Sequence, residues 1–331
     1  MPEIVAVTGG DGFIGSHLVE ALVRAGHRVR AMALYNSLGS WGWLDDLAPD
    51  ILASVEVQFG DVRDRECVLA LMREADVVYN LAALIAIPYS YRAPASYLET
   101  NAFGTLNVLE SARVLGTPRI VHTSTSEVYG TARTVPIDEH HPLQAQSPYA
   151  ASKVAADKLA ESYNLSFGLP VVTLRPFNTY GPRQSARAVI ATLISQVAAG
   201  SRSLQVGSLD PVRDFNFVAD TVSAFMAVGT APHEQVVGQV LNAGSGIGIS
   251  VGELITLIGE VMGVELEPVL DAQRLRPPNS EVMRLICDST MLQKLTDWQP
   301  AHSLKEGLTL TAAWFSDKAN LRRYKTDVYN I

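Results

Sequence analysis

Short, nearly continuous apolar runs alternate along this chain with longer stretches in which apolar residues recur about every three to four positions. That is the pattern of buried strands and amphipathic helices. Strands are expected over residues 3–8, 26–34, 55–59, 76–80, 119–123, 171–174, 203–206 and 240–242. Helices are expected over 14–25, 67–72, 96–115, 149–164, 186–199, 219–228, 250–262 and 304–318. In the first helix Ile14, Leu18, Leu22 and Val23 share one face. Strands that alternate with helices imply a Rossmann-like, doubly wound α/β fold with a parallel sheet covered on both faces. Ligands of such sheets sit at the carboxyl ends of the strands, so the loops after residues 8, 34, 60, 80, 123 and 174 are expected to share one edge.

After about residue 178 the alternation loosens, and a Pro-rich loop, Arg274-Leu-Arg276-Pro-Pro278, separates the last two helices. The pattern predicts an α/β domain over 1–178, to which 216–243 returns. A smaller C-terminal substrate domain is expected from 179–215 and 244–320. The length of 331 residues suits this division, at roughly 150 residues per domain.

Composition narrows the class. Hydrophobic residues make up 47% and charged residues 18%, the balance of a folded globular protein rather than a disordered one. The net charge of −8 comes with no basic cluster, which argues against nucleic acid as a partner. Cys67 and Cys287 are far apart and lack metal-ligand spacing, so a reducing, cytoplasmic setting is expected. No stretch approaches the roughly 20 apolar residues of a membrane span, and the first apolar run leads into a glycine loop rather than a cleavable leader.

Three stretches carry chemistry. Gly9-Gly-Asp-Gly12-Phe-Ile-Gly15 lies between a strand and a helix. There glycines let the backbone approach a pyrophosphate, and the helix start offers free N–H groups. His122-Thr-Ser-Thr-Ser-Glu-Val-Tyr-Gly ends a strand and supplies hydroxyls and a carboxylate. Tyr149 and Lys153 stand four apart on one helical face. An ammonium beside a phenol is expected to lower the phenol pKa from its usual ~10 and make it a proton acceptor. His17, His122 and His140-His141 have no ligand spacing with other candidates, and no metal is implied.

Along nearly its whole length the chain resembles the extended short-chain dehydrogenase/reductase family of NAD-dependent epimerases and dehydratases. The resemblance rests on the glycine turn, Gly60-Asp61, Leu81-Ala-Ala, Asn101-x-x-Gly104-Thr-x-Asn107, Tyr149-x-x-x-Lys153, Arg175-Pro-Phe-Asn178-x-Tyr-Gly-Pro182 and Arg213-Asp-Phe. More narrowly, Leu84-Ile-Ala-Ile-Pro-Tyr-Ser-Tyr91, Tyr35-Asn-Ser with Ser40-Trp-Gly-Trp43, and Gly181-Pro-Arg-Gln-Ser-Ala-Arg187 are similar to nucleotide-sugar 4,6-dehydratases of legionaminic-acid pathways.

The resemblance implies NAD as cofactor, with NADP not excluded. It implies a nucleotide-diphosphate sugar, an N-acetylglucosamine derivative, as substrate. It assigns Thr125, Ser126, Glu127, Tyr149 and Lys153 to catalysis: Tyr149 as base toward the sugar 4-hydroxyl, Lys153 on the nicotinamide ribose, and Glu127 as base toward C5. The cofactor would touch Gly9, Gly12, Phe13, Ile14, Gly15, Asn36, Asp61, Val62, Leu81, Ala82, Ala83, Asn101, Thr123 and Pro176, besides Tyr149 and Lys153. The substrate would touch Ser124, Thr125, Asn178, Arg187, Arg213 and Arg276. The helices at 96–115 and 149–164 carry surplus apolar surface, which in this family forms a four-helix homodimer interface.

Two departures stand out. The dTDP-glucose 4,6-dehydratases carry Thr-Asp-Glu where this chain has Thr125-Ser126-Glu127. The Thr-Ser-Glu form also occurs in nucleotide-glucuronate decarboxylases, so decarboxylation, and after it 4-epimerisation, stand as alternatives. Ala33 occupies the place where an Asp normally binds the adenosine ribose, leaving Asn36, Ser37 or Arg30 to shape that pocket.

Overall fold

The computed structural model describes residues 3–330. Its centre is a seven-stranded, all-parallel sheet in the order β10-β6-β5-β4-β1-β2-β3. The strands are β1 (Ile4–Thr8), β2 (Arg28–Leu34), β3 (Val55–Gly60), β4 (Val77–Asn80), β5 (Arg119–Thr123), β6 (Val171–Pro176) and β10 (Val240–Ala243). The order reverses at β1, which lies between β4 and β2, and this opens a crevice at the carboxyl edge. Register aligns the strand ends there: Thr8 faces Asn80, Asn80 faces His122, and Thr123 faces Leu174.

Helices cover both faces, as the apolar periodicity requires. On one side lie α1 (Phe13–Arg24) and α6 (Val218–Thr230). On the other lie α2 (Arg65–Met72), α3 (Gly104–Leu115) and α4 (Pro148–Phe167). Leu18, Val19 and Leu22 of α1 share one core with Val7, Val121, Val222 and Phe225. Val68, Leu71, Val108, Leu109 and Ala160 pack with Ala6, Val78 and Ile120 on the opposite face. Gly229 brings α6 close to the sheet, since a Cβ there would lie 1.8 Å from the Tyr79 hydroxyl. Arg119, buried at the start of β5, donates to the Val228 carbonyl at 2.9 Å and the Ala231 carbonyl at 3.0 Å. It thereby satisfies the last carbonyls of α6 and opposes their dipole.

Smaller sheets cover the carboxyl edge. β9 (Val212–Phe217) is flanked by β7 (Asn178–Tyr180), the antiparallel β11 (Gly248–Ser250) and β13 (Arg284–Leu285). β8 (Ser203–Val206) pairs with β12 (Glu267–Leu270). Longer helices outside these faces are α5 (Val189–Ala198), α7 (Val251–Met262), α8 (Thr290–Thr296) and α9 (Leu304–Ser316). Among the described residues no helix is long and apolar enough to cross a membrane.

Two elements differ from the sequence expectation. The helix expected over 96–115 is interrupted: a short turn at Pro94–Tyr97 passes into a π-helical stretch, Leu98–Phe103, before α3 begins. Asn101 lies within this stretch, its carboxamide bonded to the Leu84 backbone and to Ser152. Such one-turn widenings are common at functional sites. Residues 212–217, expected only as a lead into a helix, form the central strand of the small sheet. Their charged residues Arg213 and Asp214 are nonetheless buried, which hid the strand's alternation.

Candidate active site

The glycine loop forms a cradle that side chains would fill. Gly9 has φ +67° and lies so close to the β4 loop that a Cβ would be 2.8 Å from the Ala82 nitrogen. A Cβ on Gly15 would be 2.0 Å from the Gly9 carbonyl oxygen. Gly12 caps α1 with no side-chain acceptor, so the first N–H groups of the helix face the loop. The β4 loop is fixed by Thr8, whose hydroxyl donates to Asn80 at 2.8 Å and accepts from Leu81 and Ala82 N–H. Phe13 and Ile14 open α1, Ile14 packed on the core and Phe13 edge-on to His17. A dinucleotide pyrophosphate fits this cradle by shape and by donor supply.

After β3, Val62 is buried beneath Gly104, and Asn107 donates to the Val62 and Arg63 carbonyls at 3.1 and 2.9 Å. Asp61 is gripped by Arg63, whose hydrogen bonds hold its carboxyl below the usual range. Asn36 uses its carboxamide within its own loop, accepting from Leu38 and Ser40 N–H and donating to the Leu34 and Ser40 carbonyls. Arg30 lies four residues short of the end of β2 and pairs with Glu56 at 3.1 Å and with the Arg73 carbonyl. It therefore does not shape the pocket at that strand's end.

α4 starts from a Ser147 cap, with Pro148 in its first turn, and carries Tyr149 and Lys153 into the crevice. The Lys153 ammonium donates to the Thr123 carbonyl at 2.6 Å. Tyr149 is buried edge-on against Tyr97 with Ile87 and Leu84, and Thr125 is a polar neighbour of its hydroxyl. Asn101 ties this helix to the β4 loop, accepting from Leu84 N–H at 2.8 Å and donating to Ser152 Oγ at 2.9 Å. Ala83 lies in the same loop, while Pro176 ends β6 with its register partner Ala243 beside it.

The expected lowering of the Tyr149 pKa is not what the chain produces. Burial raises the Tyr149 hydroxyl far above its ordinary value, with the Thr125 side chain opposing and the Glu127 charge adding. Burial also lowers Lys153, to about 8, against the pull of Asp157. Desolvation disfavours the charged form of each group, and the ammonium is directed at a carbonyl rather than at the phenol.

Past β5, Thr125 accepts from Glu127 N–H at 3.2 Å and starts a single 3-10 turn, Ser126–Tyr129. Glu127 Oε1 stands 3.9 Å from Arg276 Nη1, and Arg276 lies 3.7 Å from Glu281. Arg213, buried, donates to Glu281 at 3.1 Å. Glu127, Arg213, Arg276 and Glu281 therefore form one charged cluster over the strand ends, and Arg276 Nη1 is buried without a hydrogen-bond partner among the described residues. Asn178 donates to the Asp214 carbonyl at 3.3 Å on the same side. Arg187 is exposed and hydrogen-bonds Ser185, apart from that cluster.

Ser124 turns away. Its hydroxyl donates to Asp157 at 2.7 Å, and Asp157 also receives His122 at 3.2 Å and Arg175 at 2.9 Å. Arg175 continues to the Tyr129 hydroxyl at 2.9 Å, which donates to Asn242 at 2.8 Å. This buried chain lies directly behind Lys153 and Thr123. Asp157 was not singled out from the sequence, although its place one turn after Lys153 on the same helix was the available signal. Glu281, in a loop with no periodicity, offered none. Among the described residues no group of His, Cys, Asp and Glu is arranged to hold a metal.

Fold and site together define a dinucleotide-binding α/β protein with a Tyr-x-x-x-Lys helix at its crevice and charged groups lying over it. The family model described as GDP-mannose 4,6 dehydratase matches residues 6–311. The chain is 33% identical to a UDP-glucose 4-epimerase of Mycolicibacterium smegmatis, over 95% of this chain and 98% of that one. It is 33% identical to a dTDP-glucose 4,6-dehydratase of Streptomyces griseus, over 95% and 94%. Among solved structures it matches the dTDP-glucose 4,6-dehydratase DesIV of Streptomyces venezuelae with NAD and TYD bound. That match has TM-score 0.82 and 28% identity, and it covers 95% of this chain and 97% of that one. The chain belongs to the NAD-dependent epimerase/dehydratase branch of the extended short-chain dehydrogenase/reductase family.

Proposed function

We propose that this protein is an NAD-dependent nucleotide-sugar 4,6-dehydratase, a lyase acting on a nucleotide-diphosphate N-acetylglucosamine. The observation that carries the reading is a carboxylate, Glu127, beside the Tyr149–Thr125 pair and under Arg276. Oxidation at C4 alone needs only the tyrosine and lysine; a second acid/base group serves the carbon next to the ketone. The NAD-bearing relative and the glycine cradle support the cofactor. When bound, the cofactor accepts the hydride leaving C4 and returns it to C6.

In this reading Tyr149 takes the proton of the 4-hydroxyl, and Thr125 holds the 4-oxygen by a hydrogen bond. Lys153 holds the nicotinamide ribose, its ammonium anchored on the Thr123 carbonyl. Glu127 removes the C5 proton that the ketone has made acidic. A serine hydroxyl is a poor acid, so the proton for the departing 6-hydroxyl comes from Glu127 or from a water at Ser126. Arg213 and Arg276 supply fixed cationic donors to the diphosphate, and Asn178 and Arg187 complete the substrate contacts. Residues 179–215 and 244–320 form the substrate domain over the sheet edge. The groove between α3 and α4, lined by Ala102, Phe103, Leu106, Ala155 and Leu159, is the homodimer face.

Incubation of the purified protein with UDP-, GDP-, CDP- and dTDP-sugars, followed by mass, tests the assignment. Loss of one water supports it. Loss of carbon dioxide from a nucleotide-glucuronate points to the decarboxylase that Ser126 in place of Asp also suits, and an isomer of unchanged mass points to an epimerase. Glu127→Gln should cut turnover by about 10²-fold or more; full turnover on the best substrate would exclude this mechanism.

A further inference from the structure

The end of β2 lacks the carboxylate that usually receives the adenosine ribose, because Ala33 is fully buried there. A carboxylate nevertheless stands at that strand tip, supplied by the glycine loop. Asp11 Oδ2 accepts from Leu34 N–H, the residue after Ala33, at 3.0 Å. Three further contacts fix its position. Gly10 N–H donates to the Met32 carbonyl at 3.0 Å, laying the loop along β2. Trp43 N–H donates to the Asp11 carbonyl, also at 3.0 Å. Gly42, at φ +62°, passes so close that a Cβ would lie 2.6 Å from the same oxygen. Trp43 is itself held by Trp314, Tyr324 and Arg323.

The cations nearest the tip are already engaged. No Lys or Arg occurs in the sequence between Arg30 and Arg63. Arg30 is paired with Glu56, Arg63 with Asp61, and Arg323, over the Trp43 ring, with Asp46. We propose that Asp11 is the residue that selects NAD over NADP in this chain, accepting from a ribose hydroxyl and repelling a 2′-phosphate, while Arg30, Arg63 and Arg323 are each already paired with a carboxylate. This rests on the dinucleotide reading above. Asp11 takes from the glycine loop the role that Ala33 has lost from the strand.

Direct binding to the purified full-length protein tests it, by calorimetric titration with NAD⁺ and with NADP⁺ after any co-purified nucleotide is removed. The wild-type protein should favour NAD⁺ by about tenfold or more, the scale of one like-charge contact with the phosphate. Asp11→Asn keeps an acceptor for Leu34 N–H and removes the charge, and it should narrow the ratio by about tenfold. Tyr35→Arg changes an exposed position at the same tip, leaves Asp11 in place and serves if Asp11→Asn does not fold. It should also narrow the ratio, by improving NADP⁺ binding. A wild-type ratio near one, or a ratio unchanged in the folded variants, would overturn the assignment. Failure to bind either dinucleotide would instead overturn the cofactor reading.

Discussion

Tyr149 and Lys153 both sit in a site dry enough to oppose their charged forms, so the phenol is held far up while the ammonium is brought down to about 8. A proton on Lys153 is therefore present below about pH 8 and lost as pH rises through it. If the ammonium is the working form, kcat/KM should fall on a single-proton limb centred near pH 8; a flat profile to pH 10 would contradict this. The stability consequence has the opposite sense. The folded pKa lies below the ordinary 10.5, so between about 8 and 10.5 the unfolded chain binds the extra proton. On this group's account stability is constant below about pH 8 and rises across that window. Tyr149→Phe removes the buried hydroxyl beside Thr125 and should abolish oxidation, read as loss of cofactor reduction under single turnover.

At the scale of elements, two junctions hold the site. The loop from β1 to α1 closes on a glycine at its end, Gly15. Gly15→Ala, whose Cβ would meet the Gly9 carbonyl at 2.0 Å, should displace the loop and weaken dinucleotide binding in a titration, while retained affinity would show that the loop can yield. The second junction is Asp157, through which α4 is bound to β5 and β6 by His122, Ser124 and Arg175. Asp157→Asn leaves the buried Arg175 guanidinium without its counter-charge. Breaking a buried pair in this way costs about 3–5 kcal/mol, measurable as a shift of the denaturant midpoint. Asp157 is also the charge that favours the Lys153 ammonium, so the alkaline limb should move to lower pH in the same variant. No movement would mean that the two groups act independently.

For the whole molecule, the apolar groove between α3 and α4 remains open to solvent in a single chain, with Phe103 61% exposed. On the proposed homodimer, Phe103→Glu should give a monomer by light scattering; a mass unchanged from the wild type would place any subunit contact elsewhere. Local pattern was enough to read the sheet, its covering helices and the glycine cradle, because each depends on near neighbours: apolar runs, helical periodicity, a glycine where a Cβ would clash. Tyr149 and Lys153 were legible for the same reason, being one turn apart on one helix.

What lay beyond the sequence was decided by contacts between distant segments. Asp11 and Leu34 are 23 residues apart, and Asp157 and His122 are 35; no local spacing announces either pair. The Arg213–Glu281 contact spans 68 residues and depends on a strand whose charged residues are buried. The direction of the Tyr149 shift belongs here too. Sequence set the ammonium four residues from the phenol, but only packing could say that both are dry and that the ammonium turns to the Thr123 carbonyl. Desolvation depends on everything surrounding a group, and that is not written in the residues beside it.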